Sequence, residues 1–412
     1  MKIELRHGSG GEETGRLIHE LFEKYFTNPI LDRMEDGAVL PVMKGHPVLT
    51  SDSFVVEPLF FSGGDIGKLS ICGTVNDLSS MGARPLYLTA SFILETGLET
   101  ETLEKVVSSM AETAREAGVS IVAGDTKVIE GKGGLYINTA GIGERAPGLA
   151  ISASAMEEGD AVILTGTMGD HHGTILTARL HMKSSLRSDC APLNGLVENL
   201  LQEGLTIHTI RDITRGGLAT VAGELAEASG KAMELMEDEI PVSEEIRELS
   251  GILGLDPLTM GNEGKMMIIL PEKEADRALA ILRSHPYGRQ ASLAGRITKG
   301  EGVKVHRAMC PNIHSANARL IDVMWDAGDP TRTYESEIVI TARDRAFLVT
   351  DILTVISQFK APIDKINADV NHELLISTLK LTVRVHDVEH LNTLIANIRK
   401  VESVVDVDRG FH

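Results

Sequence analysis

The stretch from Gly63 to Pro85 constrains this chain more than any other. It opens Gly63-Gly64-Asp65-Ile66-Gly67-Lys68, three glycines and then a lysine. Glycine lets backbone amides approach a phosphate chain closely. From Leu69 the pattern changes, with Leu69, Cys72, Val75, Leu78 and Met81 recurring at helical spacing. A glycine turn therefore feeds a helix with one apolar side. That helix carries Asn76 and Asp77, the latter a carboxylate able to hold Mg²⁺. A glycine turn capping a surface helix accounts for the first half equally well, so the other segments must decide.

Two further segments have similar chemistry. His7-Gly8-Ser9-Gly10-Gly11-Glu12-Glu13 leads into a helix with Leu17, Ile18, Leu21 and Phe22 on one side. It reads either as a flexible N-terminal loop or as a phosphate-facing one. Pro47 to Val56 reads as a strand in which Asp52 sits among Thr50, Ser51 and Ser53. An acid in a strand wants a partner, and a cation would serve. Pro85 to Leu94 is another apolar strand, and Leu103 to Ala117 an amphipathic helix stopped by Gly118. Val119 to Val128 is expected to be a strand that stops at Gly124, with Asp125 and Thr126 at its end. Three dispersed carboxylates (Asp52, Asp77, Asp125), two glycine-rich segments and Lys68 together point to an Mg²⁺-nucleotide site.

A second domain starts near Glu158. Its first strand, Ala161 to Thr165, enters a glycine-bounded loop holding His171 and His172. Adjacent histidines on a regular element cannot both face one metal, so they read as loop residues near a helix start, not as zinc ligands. Arg211-Asp212-Ile213-Thr214-Arg215-Gly216-Gly217 precedes another helix, and Asp212 and Arg215 are candidates from the opposite wall of the same site. A salt-bridged helix entry is the plainer alternative. Gly261-Asn262-Glu263-Gly264-Lys265 is a turn that presents Glu263 to whatever docks there, or does nothing beyond turning.

Composition sets outer bounds. With 412 residues there is room for two or three cores. A net charge of −19 argues against general nucleic-acid binding. Cys72, Cys190 and Cys310 lie far apart and form no disulfide framework, which suits a reducing cytoplasm. The N-terminus shows no signal-peptide pattern, and no apolar run is long enough to span a bilayer.

Taken in order, these signatures resemble the HypE family of carbamoyl dehydratases, a branch of the PurM-like (AIR synthase-like) ATP-using enzymes. The resemblance covers residues 1 to about 298. It rests on His7 to Gly11, Thr50 to Val56, Gly63 to Lys68, Val75 to Leu78, Met81 to Leu88, Gly124 to Lys127, Arg211 to Ala219 and Asn262 to Lys265. It implies an α+β, PurM-like two-domain ATP-binding fold. The expected boundaries are 1–150 for an ATP-binding and dimerising domain and 151–298 for its partner, with two copies pairing sheets into a barrel-like homodimer. ATP is expected between the domains, with Mg²⁺ on Asp52, Asp77, Asp125 and Asp212. Gly10, Gly11, Gly63, Gly64, Lys68, Asn76, Gly124, Thr126, Arg215 and Asn262 are expected around the nucleotide. Asp77, Glu263 and Lys68 are the expected catalytic groups. The implied reaction dehydrates a protein-bound cysteine thiocarboxamide to a thiocyanate while ATP becomes ADP and phosphate, in nickel-iron hydrogenase maturation. The implied partners are the carbamoyltransferase HypF and the HypC-HypD scaffold. Two other readings are an ATP-binding regulatory protein without catalysis and a PurM-like enzyme with another substrate.

Past Ile297 the sequence follows a different pattern. The family carries its substrate on a C-terminal cysteine in a Pro-Arg-Ile-Cys-like tail, whereas this sequence ends Arg409-Gly410-Phe411-His412. Ile297 to Asn312, Trp325, and Tyr334 to Arg409 resemble the regulatory end of Rel/SpoT-type enzymes. The cysteine pair usual upstream there is lacking, so His306 and Cys310 make no full zinc set. A connecting segment, 299–332, with a polar hinge from Asp326 to Thr333, is expected to precede a domain at 333–412. Alternation in that last part gives strand, helix, two strands, helix and strand, the ferredoxin-like βαββαβ order of an ACT domain. Phe347 stands where such domains often have a glycine touching an amino-acid ligand, so a structural or dimerising role is expected of this one.

Overall fold

The computed structural model describes residues 2–306, 334–345, 348–359, 361–371, 376–385 and 388–409. Cys310, Trp325, the 326–333 hinge and Phe347 lie outside the described residues. The chain divides into two compact units, Met1–Ala316 and Asn317–His412.

The first unit has two lobes. In the N-terminal lobe four strands pair in the order His46–Phe54, Leu135–Arg145, Ala83–Glu95, Ser120–Ile129. Leu135–Arg145 runs antiparallel to both of its neighbours, and Ser120–Ile129 runs parallel to Ala83–Glu95. Leu88, Ala90, Phe92 and Leu94 alternate inward along the Ala83–Glu95 strand, against the Ile66–Ser80 and Thr100–Ala117 helices. The outer face is left with exposed Leu49, Val55, Ile93 and Ile129.

The Ile66–Ser80 helix starts as its sequence implies. The Asp65 carboxylate caps it, accepting from the Gly67 and Lys68 amides at 2.7 and 3.1 Å. It is not one-sided, however. The expected polar side is buried as well, with Ser70, Thr74, Asn76, Ser79 and Ser80 all inside. Apart from Ser80, their side chains find partners locally or across elements: Ser70 donates to the Gly67 carbonyl, Ser79 to the Val75 carbonyl, and Thr74 meets Thr139. Small residues make this possible, since a Cβ at Gly67 would lie 2.4 Å from the Val106 carbonyl oxygen. Met81, expected on the apolar side, falls just past the helix and is exposed.

In the second lobe six strands pair in the order Gly302–His306, Ala232–Met236, Ser292–Thr298, Asp160–Leu164, Met266–Pro271, Thr209–Asp212. The sheet thus takes in residues beyond 298. Both faces are covered, which is why Ala161–Leu164 and Met266–Leu270 are apolar without alternation of burial. Ile163 and Ile268 pack toward the Asn194–Gln202 and Ala275–Ser284 helices, while Val162 and Ile269 pack toward the Gly217–Ser229 helix. The lobes are joined by Asn76. Its side-chain carbonyl accepts from the Leu193 amide at 2.8 Å, and its amide donates to the Ala191 and Glu263 carbonyls at 3.0 and 3.4 Å. Nearby, the Cys72 and Cys190 thiols are buried in mutual contact.

The second unit is the expected ferredoxin-like fold. Its sheet order is Ile363–Asn371, Ile376–Val385, Tyr334–Arg343, Val404–Arg409, all antiparallel. Helices Leu348–Gln358 and Val388–Ile398 pack on it through Leu348, Ile352, Ile356, Leu394 and Ile398.

Candidate functional site

Within the first unit a cleft of about 760 Å³ lies between the lobes. One wall is the inner side of the His46–Phe54 strand and the Ile66–Ser80 helix, carrying Asp52 and Asp77. The other is the end of the Thr209–Asp212 strand and the loop after it, carrying Asp212 and Arg215, with Glu263 from the Asn262–Lys265 turn. Four carboxyls and an exposed guanidinium so converge from four distant parts of the sequence.

The acids of this cleft interact strongly. Thr50 donates to Asp77 at 2.8 Å. Burial pushes Asp77 above the ordinary carboxylate range, and the charge of Asp52 adds to the rise, while the Thr50 hydrogen bond and Arg211 oppose it. Asp212 is pushed up to about 6, by burial first and by Asp77 second. Burial raises Glu263 well above its usual range; Asp189, Asp212 and Asp52 add to this and Arg215 works against it. Carboxyls that raise one another are short of positive charge. Among the described residues no three His, Cys, Asp or Glu side chains are grouped closely enough to hold a metal ion alone. The donor set nevertheless suits a hard cation such as Mg²⁺, which takes one or two carboxylates and completes its shell with water and phosphate oxygens.

Other expected site residues fall elsewhere. Asp125 lies in mid-strand, because Ser120–Ile129 pairs with Ala83–Glu95 as far as Ile129 instead of stopping at Gly124. In that register it shares the outer face with Ser91, and it binds Lys127 at 2.9 Å, which holds its carboxyl below the usual range. With Gly10, Gly124 and Thr126 it lines a separate groove beside the N-terminal helix. Lys68 and Gly63 line a third cavity, which none of the four carboxyls lines. Lys68 Nζ donates to the Gly63 carbonyl at 3.3 Å, and Gly64 lies against the Lys68 stem. Gly11 takes a positive φ just before the first helix. Asn76 and Asn262, expected at the nucleotide, are instead fully engaged by the framework. Asn76 joins the lobes as described, and buried Asn262 accepts from the Gly169 amide at 2.8 Å.

Sequence reasoning missed His171 as part of the cleft. It lies in the first turn of the Asp170–Arg179 helix and pairs with the Ser188 hydroxyl at 2.8 Å; burial lowers it to about 4, so it is neutral at pH 7. Arg211 and Glu224, an ion pair at 3.1 Å, also line the cleft. The Gly166 to Gly173 loop was the only signal for His171; nothing local marked Glu224.

Comparison with known proteins gives this arrangement a lineage. Residues 34–145 match the AIR synthase related protein N-terminal domain, and 157–307 match its C-terminal domain. Residues 292–326 match the RelA/SpoT RIS domain and 330–409 an ACT domain. The carbamoyl dehydratase HypE of Azotobacter vinelandii is 44% identical over 331 residues, 79% of this chain and 95% of that protein. A crystal structure of the hydrogenase maturation protein HypE in complex with ATP is 46% identical with a TM-score of 0.72, over 74% of this chain and 94% of that one. A HypE-HypF complex aligns at 44% identity and a TM-score of 0.63, over 71% of this chain and 96% of that one. Identity at this level across nearly the whole length of such relatives leaves one assignment: the chain belongs to the HypE family, with an ACT domain following its AIR synthase related core.

Proposed function

We propose that this protein is an ATP-dependent carbamoyl dehydratase that converts a cysteine thiocarboxamide on a protein to a thiocyanate, in the synthesis of the cyanide ligand of nickel-iron hydrogenases. The observation that carries the reading is the interlobe cleft, where Asp52, Asp77, Asp212 and Glu263 meet on a HypE-family framework. An amide oxygen is a poor leaving group. In the proposed reaction it attacks the γ-phosphorus of ATP and ADP departs. The amide nitrogen then loses its protons, the C–O bond breaks, and phosphate leaves with the former amide oxygen, giving C≡N. Such chemistry needs positioned positive charge for the phosphoryl group and a carboxyl to take the protons.

One or two of Asp52, Asp77 and Asp212 would hold Mg²⁺, with water and phosphate oxygens completing its shell, and the ion would supply neutralising charge for the phosphates. Arg215, exposed in the cleft, has the right charge to meet a phosphate oxygen. Asp77 and Glu263, whose proton affinity burial raises, are the carboxyls we assign to the amide protons. Neutral His171 adds no charge to the acidic wall.

Homodimer formation through the outer face of the N-terminal sheet belongs to the proposal, supported by exposed Leu49, Val55, Ile93 and Ile129. Asp125 takes the outer-face register and, with Gly10, Gly124 and Thr126, lines the groove beside the N-terminal helix; we assign this group to the nucleotide through the second copy. A HypF-type carbamoyltransferase is the proposed supplier of the substrate and a HypC-HypD scaffold the proposed recipient. A reducing, cytoplasmic setting fits the free thiols of Cys72 and Cys190, which touch without being joined. No helix among the described residues is long and apolar enough to cross a membrane.

The test is mass spectrometry of the full chain incubated with ATP, carbamoyl phosphate and a HypF-type enzyme. A carbamoylated cysteine that loses one water only when ATP is present supports the reading. A carbamoyl adduct that persists in ATP rejects it.

A further inference from the structure

The cavity that holds Lys68 has a chemistry of its own. It measures about 280 Å³ and is lined by Lys68, Arg187, Lys265 and Arg289, against a single acid, Asp189. That acid is already committed. Its side chain is 2% exposed, accepts from the Glu263 and Gly264 amides at 3.2 and 3.1 Å, and lies 3.6 Å from Lys265 Nζ. Asp65, at the start of the same helix as Lys68, is occupied in capping that helix. Among the described residues neither Arg187 nor Arg289 has an acid partner, in a chain whose net charge is −19. Four cations around one engaged carboxylate leave an excess of positive charge in a partly desolvated space, which favours an anion there.

The framework is shaped for this charge. Gly166 lies under the Lys265 stem, and a Cβ there would come within 2.8 Å of Lys265 Cε. Gly63 packs on the Ser188 backbone, where a Cβ would lie 2.6 Å from the Ser188 carbonyl oxygen. Loops from both lobes close on each other at that point, the Ser188 amide donating to the Ser62 carbonyl at 2.8 Å. The two lysines lie inside and the two arginines stand exposed at the rim. Guanidinium groups bind tetrahedral oxyanions through paired N–H donors, and a dianion answers the excess charge better than a carboxylate does. At about 280 Å³ the space is at the lower end of the range for organic ligands, of order 300 Å³ and upward, and suits phosphate or a small phosphate monoester rather than a nucleoside triphosphate.

We propose that this cavity is a phosphate-binding site, separate from the carboxylate-lined cleft, with Lys68, Lys265, Arg187 and Arg289 as its donors. The proposal needs neither a nucleotide nor a divalent ion, so it stands apart from the dehydratase reading.

The experiment is calorimetric titration of the full, nucleotide-free chain with inorganic phosphate, and in parallel with glycerol 3-phosphate, in a divalent-free, phosphate-free buffer. We expect saturable one-site binding of at least one of the two, and whichever binds more tightly gives the source of the phosphate group. The double variant Arg187→Gln/Arg289→Gln should bind at least tenfold more weakly, while its Mg²⁺·ATP affinity, measured in the same way, stays that of the wild type and shows that it is folded. Asp77→Asn should bind phosphate as the wild type does even where ATP turnover is lost. Absence of binding by both probes overturns the proposal. So does unchanged affinity in the arginine variant, or loss of phosphate binding in Asp77→Asn, which would put the anion in the other cleft.

Discussion

Asp212 gives the cleft a pH signature. A carboxylate of its type ordinarily titrates near 3.8, and in the folded chain it titrates at about 6. Between those values the folded state holds a proton that the unfolded state has lost, so stability declines as pH rises through that window. The full contribution is on the order of 3 kcal/mol. Asp212→Asn should therefore raise the Tm of the nucleotide-free protein more at pH 7.5 than at pH 4.5; an equal gain at both would contradict the assignment. Divalent binding has the opposite sense, because a ligand must be ionised, and should weaken as pH falls through about 6. For Asp77→Asn we expect at least a hundredfold loss of ADP release in a coupled assay, the lower end of what a positioned proton-transfer group contributes. These residues were legible in the sequence because each stands as an acid in a Gly/Ser/Thr/Asn setting. The side on which Asp125 falls was not. Gly124-Asp125-Thr126-Lys127 has no apolar alternation to fix its face, and a one-residue difference moves every side chain across the sheet.

At the level of elements, the Ile66–Ser80 helix is the member on which both lobes rest. Its start was readable from Asp65 and the glycines, its burial on all sides was not. Periodicity reports one apolar side, but Ser70, Thr74, Asn76 and Ser79 are buried because each finds a hydrogen-bond partner that tertiary packing supplies. Asn76→Ala removes three interlobe hydrogen bonds and leaves the Leu193 amide without its acceptor. A destabilisation of roughly 2–4 kcal/mol follows from such a loss, readable as a lower denaturation midpoint. Asn76→Asp, which keeps an acceptor for that amide, should recover part of it. The βαββαβ order of the second unit was legible throughout, since alternation in Ser377, Leu379, Leu381 and Val383 and helical spacing in Leu348, Ile352 and Ile356 agree with the fold at every step.

For the whole molecule, the uncovered face of the N-terminal sheet is the feature with the largest consequence for assembly. Leu49→Lys/Val55→Lys places two charges on exposed apolar positions, one within the His46–Phe54 strand and one just past its end. If that face pairs two copies, sedimentation should show a shift from dimer toward monomer at unchanged helix and sheet content; persistence of the dimer would move the interface elsewhere. Residues 1–316 form a compact unit with their own cores, so that fragment should bind ATP as the full chain does. The arrangement of the two chambers was hidden from the sequence because Arg187, Asp189, Lys265 and Arg289 come from loops with no shared pattern. Yet four consecutive residues divide those chambers. In Asn262-Glu263-Gly264-Lys265, the acid looks into one space and the lysine into the other. Asp189 answers to both neighbours, raising the proton affinity of Glu263 and pairing with Lys265. Drawing Lys265 toward an incoming anion would leave Asp189 less compensated and make Glu263 hold its proton harder. Occupancy on one side of this thin partition would thereby change proton affinity on the other, and by reciprocity the ionisation of a single glutamate would set how readily the far chamber fills.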